Sequence, residues 1–219
     1  MTRSPLPPLG VRRLGCRDYL PVWEAMRRWS DQRVPGTPDE LWLLEHHPVF
    51  TLGQAGRPEY LRDPGTIPVI TSDRGGQVTY HGPGQLIAYP LLDLDRLGLG
   101  IRGLVASLEK VVADLLRDLG LIPEQRPGAP GVYVGAAKIA ALGLRVRRGC
   151  SYHGLSLNVA MDLEPFQRID PCGYPGLAVT QLCDLGIDEG VTAIADRLAE
   201  GLRAHWEYPG LIPLPPQLP

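Results

Sequence analysis

Residues 131–146 read GVYVGAAKIAALGLRV: two short β-type runs, GVYV and KIAALGLRV, separated by glycine and small residues. The same punctuation recurs on both sides. LWLLEHHPVFTLG (41–53), IPVITS (67–72), QLIAYPLLDL (85–94) and YHGLSLNVAM (152–161) are further β-type runs bounded by Gly and Pro. Helical spacing is clearest in IRGLVASLEKVVADLLRDLG (101–120), where Ile101, Leu104, Val105, Leu108, Val111, Val112, Leu115, Leu116 and Leu119 form one stripe and Gly120 supplies a stop. Two more helices are expected, over Tyr19 to Trp29 and Val191 to Trp206. Strands and helices do not alternate regularly. That predicts an α+β fold, a mixed and largely antiparallel sheet flanked by helices, rather than a doubly wound one.

The chain has 219 residues and 44% hydrophobic content, which suits a single domain over 1–219 with an ordinary core. The leader 1–10 and the proline-rich tail 209–219 are expected to be extended. A net charge of -2 with scattered arginines gives no basic footprint for nucleic acid. No apolar run approaches the ~18–20 residues of a membrane span, and the N-terminus lacks a signal-peptide core, so a cytoplasmic protein is expected. Cys16, Cys150, Cys172 and Cys183 are widely spaced without a CxxC pair, which reads as free thiols rather than disulfides or a zinc site.

The charge pattern singles out one residue. Of 22 Lys and Arg, only Lys110 and Lys138 are lysine. Lys110 lies on the polar face of the 101–120 helix, four residues before Asp114, and is explained as a solvated surface lysine. Lys138 sits among small and apolar residues, and strict strand alternation puts it on one face with Ala140, Leu142, Leu144 and Val146, away from Arg145 and Arg147. Two readings stand for it. Its stem packs while its ammonium reaches water, or it is desolvated and able to exchange a proton, which arginine cannot do.

A proton carrier needs a nucleophile to serve. Cys172, in IDPCGYPGLAVTQL, is flanked by Pro171 and Gly173 and so belongs to a loop, where a thiol is accessible. An incidental thiol is the alternative. Residues 72–94, SDRGGQVTYHGPGQLIAYPLLDL, hold a glycine-rich segment whose backbone N–H groups can approach a ligand closely. It is neither a Walker-type phosphate loop nor a G-x-G-x-x-G turn.

Taken together, RGGQVTYHGPGQLIAYPLLDL, EHHPVFTLG, GVYVGAAKIAALGLRV, SYHGLSLNV and PCGYPGLAVTQL resemble the lipoyl(octanoyl) transferase family, in the same order and over most of residues 42–183. The resemblance implies the fold of biotin and lipoate ligase catalytic domains. It implies transfer of an octanoyl group from octanoyl-acyl carrier protein to a lysine on the lipoyl domains of 2-oxoacid dehydrogenase E2 subunits and on the glycine cleavage H protein, with no cofactor and no metal. It places an acyl-enzyme thioester on Cys172 with Lys138 as its partner. By the same matching, substrate contacts fall on Arg74, Gly75, Gly76, Gln77, Val78, Thr79, Tyr80 and His81, on Ala141, Leu142 and Gly143, and on Gly154, Leu155 and Ser156. Ser156 departs from the alanine expected there. His81 and His153 are expected to line the site and orient substrate or loops, while His46 and His47 hydrogen-bond at a strand end.

The chemistry suits these residue types. A thioester donor lets a thiol exchange like for like without ATP, and a nearby amine raises the thiolate fraction of a cysteine whose unperturbed pKa is ~8.5. A neutral lysine can then take the proton of the incoming amine. Backbone N–H groups at Cys172 and in the glycine-rich segment are candidates for an oxyanion hole. The small residues Ala140, Ala141, Leu142 and Gly143 leave room for an acyl chain. Three rivals remain open at this point: an ATP-dependent lipoate or biotin-type ligase, a hydrolase pairing Cys172 with His81 or His153, and a non-catalytic lipoyl-domain or carrier-binding module.

Overall fold

The computed structural model describes residues 5–171 and 176–219. Among the described residues, β1 (Leu9–Arg17), β2 (Glu40–His46), β6 (Gln85–Leu91), β7 (Pro123–Gln125), β8 (Val132–Val134), β9 (Ala137–Arg147), β10 (Cys150–Asn158) and β11 (Leu211–Leu214) form an eight-stranded sheet. Its order is β11-β1-β2-β6-β10-β9-β8-β7. The β1 pairings with β11 and β2 are parallel, and every other neighbour pair is antiparallel. A smaller sheet, β3 (Val49–Leu52), β4 (Val69–Thr71) and β5 (Val78–His81), is ordered β4-β3-β5. The mixed, largely antiparallel α+β architecture is the one expected.

Alternation explains the layering. On β2 and β6, Leu41, Leu43, Leu86 and Ala88 face a core shared with α2 (Leu94–Leu97), α3 (Ile101–Asp118) and α4 (Val191–His205), where Leu104, Leu108, Val112, Ile194, Leu198 and Leu202 are fully buried. Trp42, Leu44, Ile87 and Tyr89 face the opposite side, against Val22, Ala25 and Met26 of α1 (Tyr19–Gln32). Both faces are covered. The central strands therefore read as almost continuous apolar runs, and each fully buried large side chain contributes about 1.5–3 kcal/mol relative to exposure. Pro21 falls in the first turn of α1, where no intrahelical N–H is lost.

The two ends, expected only to be extended, carry a strand pairing. Leu9 and Gly10 of the leader are the start of β1, and Leu211–Leu214 of the tail pairs with it in parallel, Leu9 opposite Leu211 and Arg12 opposite Leu214. The sequence pattern suggested no strand there because Arg12, Arg13 and the prolines hide the alternation. Pro213 is tolerated because β11 is the sheet's edge. The run 41–53 also splits: β2 joins the large sheet and β3 the small one, with His47 and Pro48 at the break.

The alternation read through Lys138 fails as well. Val132 pairs with Ala140 while Tyr133 pairs with Lys138, so Ile139 is an extra residue, a β-bulge. Ile139 and Ala140 go into the main core. Ala141 and Gly143, rather than Ala140, return to the side of Lys138.

Candidate active site

A cavity of about 350 Å³ opens between the glycine-rich segment, β9, β10 and the start of α3. That volume falls within the range typical of small-molecule sites. Arg74, Gly75, Gly76, Gln77, Val78, Thr79, His81, Lys138, Ala141, Leu142, Gly143, Gly154, Leu155 and Ser156 all line it, so the structure brings together almost every described residue anticipated from the sequence. Tyr80 is the exception. In β5 it alternates away from Thr79 and His81 and packs on Phe50 and Phe166 in a separate core. Cys172 lies outside the described residues, as do Gly173, Tyr174 and Pro175.

The glycine-rich segment is held against β9 by main-chain contacts. Gly75 N donates to Leu144 O at 3.0 Å, and a Cβ on Gly143 would stand 2.9 Å from Gly75 O. Arg74 organises the turn from within. Its guanidinium, buried in a residue only 7% exposed, donates to Thr51 Oγ1 (3.0 Å), Thr51 O (2.6 Å), Gln77 O (2.6 Å) and Gly75 O (2.8 Å). Four acceptors in the fork of one arginine fix the backbone that frames the cavity. The role expected for Arg74 was substrate contact alone; its hydrogen bonds add a scaffold role.

Lys138 is buried, 4% exposed. Its Nζ donates to Pro130 O at 2.9 Å and stands 5.2 Å from the centroid of the Tyr133 ring. Its ammonium therefore does not extend to open solvent, contrary to the packed-stem reading. Its main chain is tied to the segment after the undescribed residues: Lys138 N donates to Ala178 O (2.9 Å), Thr180 N donates to Lys138 O (3.0 Å), and Lys138 bridges Val179 in parallel. Pro171, which precedes Cys172, lines a small adjoining cavity of about 20 Å³ together with Lys138 and Val179. Ala140 reaches only this smaller space.

A polar network meets the cavity at His153. Asp73 accepts from Trp23 Nε1 (2.8 Å), Tyr152 Oη (2.5 Å) and His153 Nε2 (2.9 Å). Burial pushes its carboxyl up, but the hydrogen bonds from His153, Tyr152 and Trp23 outweigh that and hold it well below the usual carboxylate range. An ionised carboxylate only accepts, so His153 carries its hydrogen on Nε2. Its Nδ1 is buried with no partner among the described residues. His153 has φ 56°, the left-handed region, which turns its ring beside that of Tyr152, with centroids 5.0 Å apart.

His46 and His81 are held neutral. Burial is the main cause in both, lowering His46 to about 4 and His81 to about 3. His46 Nδ1 donates to Arg17 O (3.0 Å), so its Nε2 accepts from Tyr89 Oη (2.8 Å). The sequence reading foresaw strand-end hydrogen bonding for His46 but not its place in this network. Tyr89 on β6 and Ile101 and Val105 on α3 also line the cavity; they were legible only as core residues. Residues 128–130 complete its rim.

The architecture is that of lipoate and biotin protein ligases. The chain superposes on lipoate-protein ligase A bound with ATP with a TM-score of 0.78 at 17% identity, covering 96% of this chain and 90% of that one. A bi-partite lipoate protein ligase from Thermoplasma acidophilum gives 0.73 at 16% identity, over 97% and 88% of the two chains. Biotin protein ligase from Aquifex aeolicus gives 0.56 at 13% identity, over 90% and 69%. Residues 18–203 match the family model of the lipoyl protein ligase A/B catalytic domain, and the chain belongs to that family. It is 63% identical over 209 residues to the octanoyltransferase of Alkalilimnicola ehrlichii, covering 95% of this chain and 97% of that one. It is 58% identical over 198 residues to that of Chromohalobacter salexigens, covering 90% of each. Among the described residues no helix is long and apolar enough to cross a membrane.

Proposed function

We propose that this chain is an octanoyltransferase: an acyltransferase of protein lipoylation that works as one catalytic domain over 1–219 in the cytoplasm. Relatives of that name match it over nearly their whole length. The donor is octanoyl-acyl carrier protein, and the acceptors are lysines on the lipoyl domains of 2-oxoacid dehydrogenase E2 subunits and on the glycine cleavage H protein. A lipoyl-domain acceptor has support in the Thermoplasma ligase, studied with its own E2 lipoyl domain.

The observation that carries the chemistry is a buried lysine in the wall of an apolar, chain-accepting cavity. Cys172 attacks the donor thioester: its S–C bond forms, the carrier's S–C bond breaks, and the thiol proton passes by way of Lys138 to the departing carrier thiolate. In the second half the acceptor amine forms a C–N bond, the Cys172 S–C bond breaks, and the amine's proton returns through Lys138 to the Cys172 thiolate. Lys138 is suited to both steps because an amine can release the proton it takes. Support for pairing Lys138 with Cys172 comes from both flanks of 172–175. Pro171 lines the same small cavity as Lys138, and Ala178, Val179 and Thr180 bond or bridge to its main chain. Ile87, Val105, Leu142 and Leu155 supply the apolar wall for the chain, and Gly75, Gly76, Ala141, Gly143, Gly154 and Ser156 leave the space. Gln77, Val78, Thr79 and His81 line the same cavity.

Intact mass after mixing with octanoyl-acyl carrier protein tests this. An octanoyl adduct that forms without ATP and is absent in Cys172→Ala is the expected result. No adduct in the wild type, or one that requires ATP, overturns the reading.

A further inference from the structure

A chain of side-chain hydrogen bonds ends in the cavity, and its direction can be worked out atom by atom. Thr180 O is a carbonyl and only accepts, so the Asn158 group that meets it at 2.9 Å is the Nδ2 donor. That leaves Asn158 Oδ1 to accept from Gln85 Nε2 at 2.9 Å, and Gln85 Nε2 also points to Tyr80 O at 3.3 Å. Gln85 Oε1 is then an acceptor and receives the hydrogen of His81 Nδ1 at 2.7 Å. The hydrogen of neutral His81 is therefore on Nδ1, and Nε2 is a lone pair. His81 is 7% exposed and lines the cavity, and Nε2 has no hydrogen-bond partner among the described residues.

This acceptor is fixed in place. The Tyr19 ring stacks on His81 with centroids 6.1 Å apart and planes 7° from parallel, and His46 flanks it at 5.9 Å. The groups acting on it across the packing are His46, Arg74 and His153, each of which opposes a positive charge on the ring. An imidazole held neutral in this way accepts a hydrogen bond but does not keep a proton.

Of the reacting groups, one brings N–H bonds to the centre. The donor thioester offers carbonyl oxygen and sulfur, both acceptors, and the cysteine thiol has Lys138 to serve it. The incoming lysine amine has two hydrogens, and only one leaves when the C–N bond replaces the S–C bond. The other stays as the amide N–H of the product. We infer that His81 Nε2 receives that retained N–H of the attacking amine in the second half-reaction, and that Gln85 and Asn158 are positioning residues that keep Nε2 free to do so. The inference rests on the acyl-transfer reading above and assigns the step that uses this wall.

The experiment separates the two half-reactions in the full chain. Protein is loaded from octanoyl-acyl carrier protein and the adduct followed by intact mass. The desalted acyl-enzyme is then mixed with a lipoyl domain, and adduct loss and amide formation are timed. In Gln85→Ala and Asn158→Ala the second step is expected to slow about tenfold, the scale of one lost hydrogen bond, while loading stays within about twofold. Gln85→Glu gives a readout that a merely structural role does not move. A carboxylate on Nδ1–H favours the imidazolium, so below that raised pKa Nε2 is protonated and cannot accept. Adduct loss then gains an acid limb that the wild type lacks, while loading does not. If Gln85→Ala does not fold by circular dichroism, Asn158→Ala and Gln85→Glu carry the comparison. Equal slowing of both half-reactions, no slowing of the second, or a Gln85→Glu profile that follows the wild type at every pH overturns the assignment. Absence of any adduct in the wild type overturns the transfer reading itself, and this assignment with it.

Discussion

Lys138 is hydrogen-bonded through its own main chain to Ala178 and Thr180, so the residue that carries the cavity's buried amine also anchors the chain that follows residues 172–175. These bonds do not involve the side chain. Lys138→Arg should therefore keep the anchor and the positive charge while removing the ability to release a proton. Turnover is expected to fall by about 10²-fold or more, with the unfolding midpoint changed little. Near-normal turnover in this variant would show that Lys138 does not carry the proton.

Gly131 sits at φ 131°, where a Cβ would stand 2.6 Å from Ala140 O, 3.1 Å from Lys138 Cε and 3.3 Å from Lys138 Nζ. The first is a backbone atom within the bulged pairing and cannot yield cheaply. Gly131→Ala should cost about 1–3 kcal/mol of stability, and it should displace the lysine stem. A loss of turnover exceeding the loss of folded protein, measured on the same sample by denaturant titration and steady-state rate, is the expected pattern.

Arg74 makes a similar prediction for the glycine-rich segment. Arg74→Lys keeps the charge but cannot reproduce a fork that satisfies Thr51, Gln77 and Gly75 together. Loss of roughly 2–4 kcal/mol of stability is expected from the buried carbonyls left without a donor. The KM for the donor should rise as the glycine-rich turn loosens. A stability equal to the wild type's would mean that the turn holds its shape without the guanidinium.

What the sequence made legible was most of the lining of the cavity, together with three amphipathic helices. Arg74, Lys138 and Gly143 were recognisable because glycine-rich and lysine-bearing motifs are local. The bulge at Ile139 was not, because it depends on Val132 and Tyr133 across the sheet, and nothing in KIAALGLRV marks it. Strand β1 was hidden for a related reason: its pairing partner β11 lies some 200 residues further on, and the charge of Arg12 is met only in the fold, by Glu40 on β2 and the carbonyls of Pro215 and Gln217. The histidine network was out of reach because His46, His81 and His153 come from three separate strands and meet only in the fold.

That network sets how stability depends on pH. His46 and His81 are depressed in the folded protein to about 4 and about 3, chiefly by burial, whereas in the unfolded chain they return to about 6.5. Below the unfolded value the unfolded chain binds protons that the folded one refuses, so stability falls as pH drops below about 6.5 and continues to fall until the folded values are reached. Asp73 does not offset this, since its carboxyl stays ionised in the folded protein throughout that window. Denaturant titrations at pH 7 and pH 5 should differ by on the order of 3 kcal/mol, with about half of the difference removed in His81→Asn. Equal stability at the two pH values would mean that these imidazoles take up protons in the folded state as readily as in the unfolded one, and that burial does not hold them neutral.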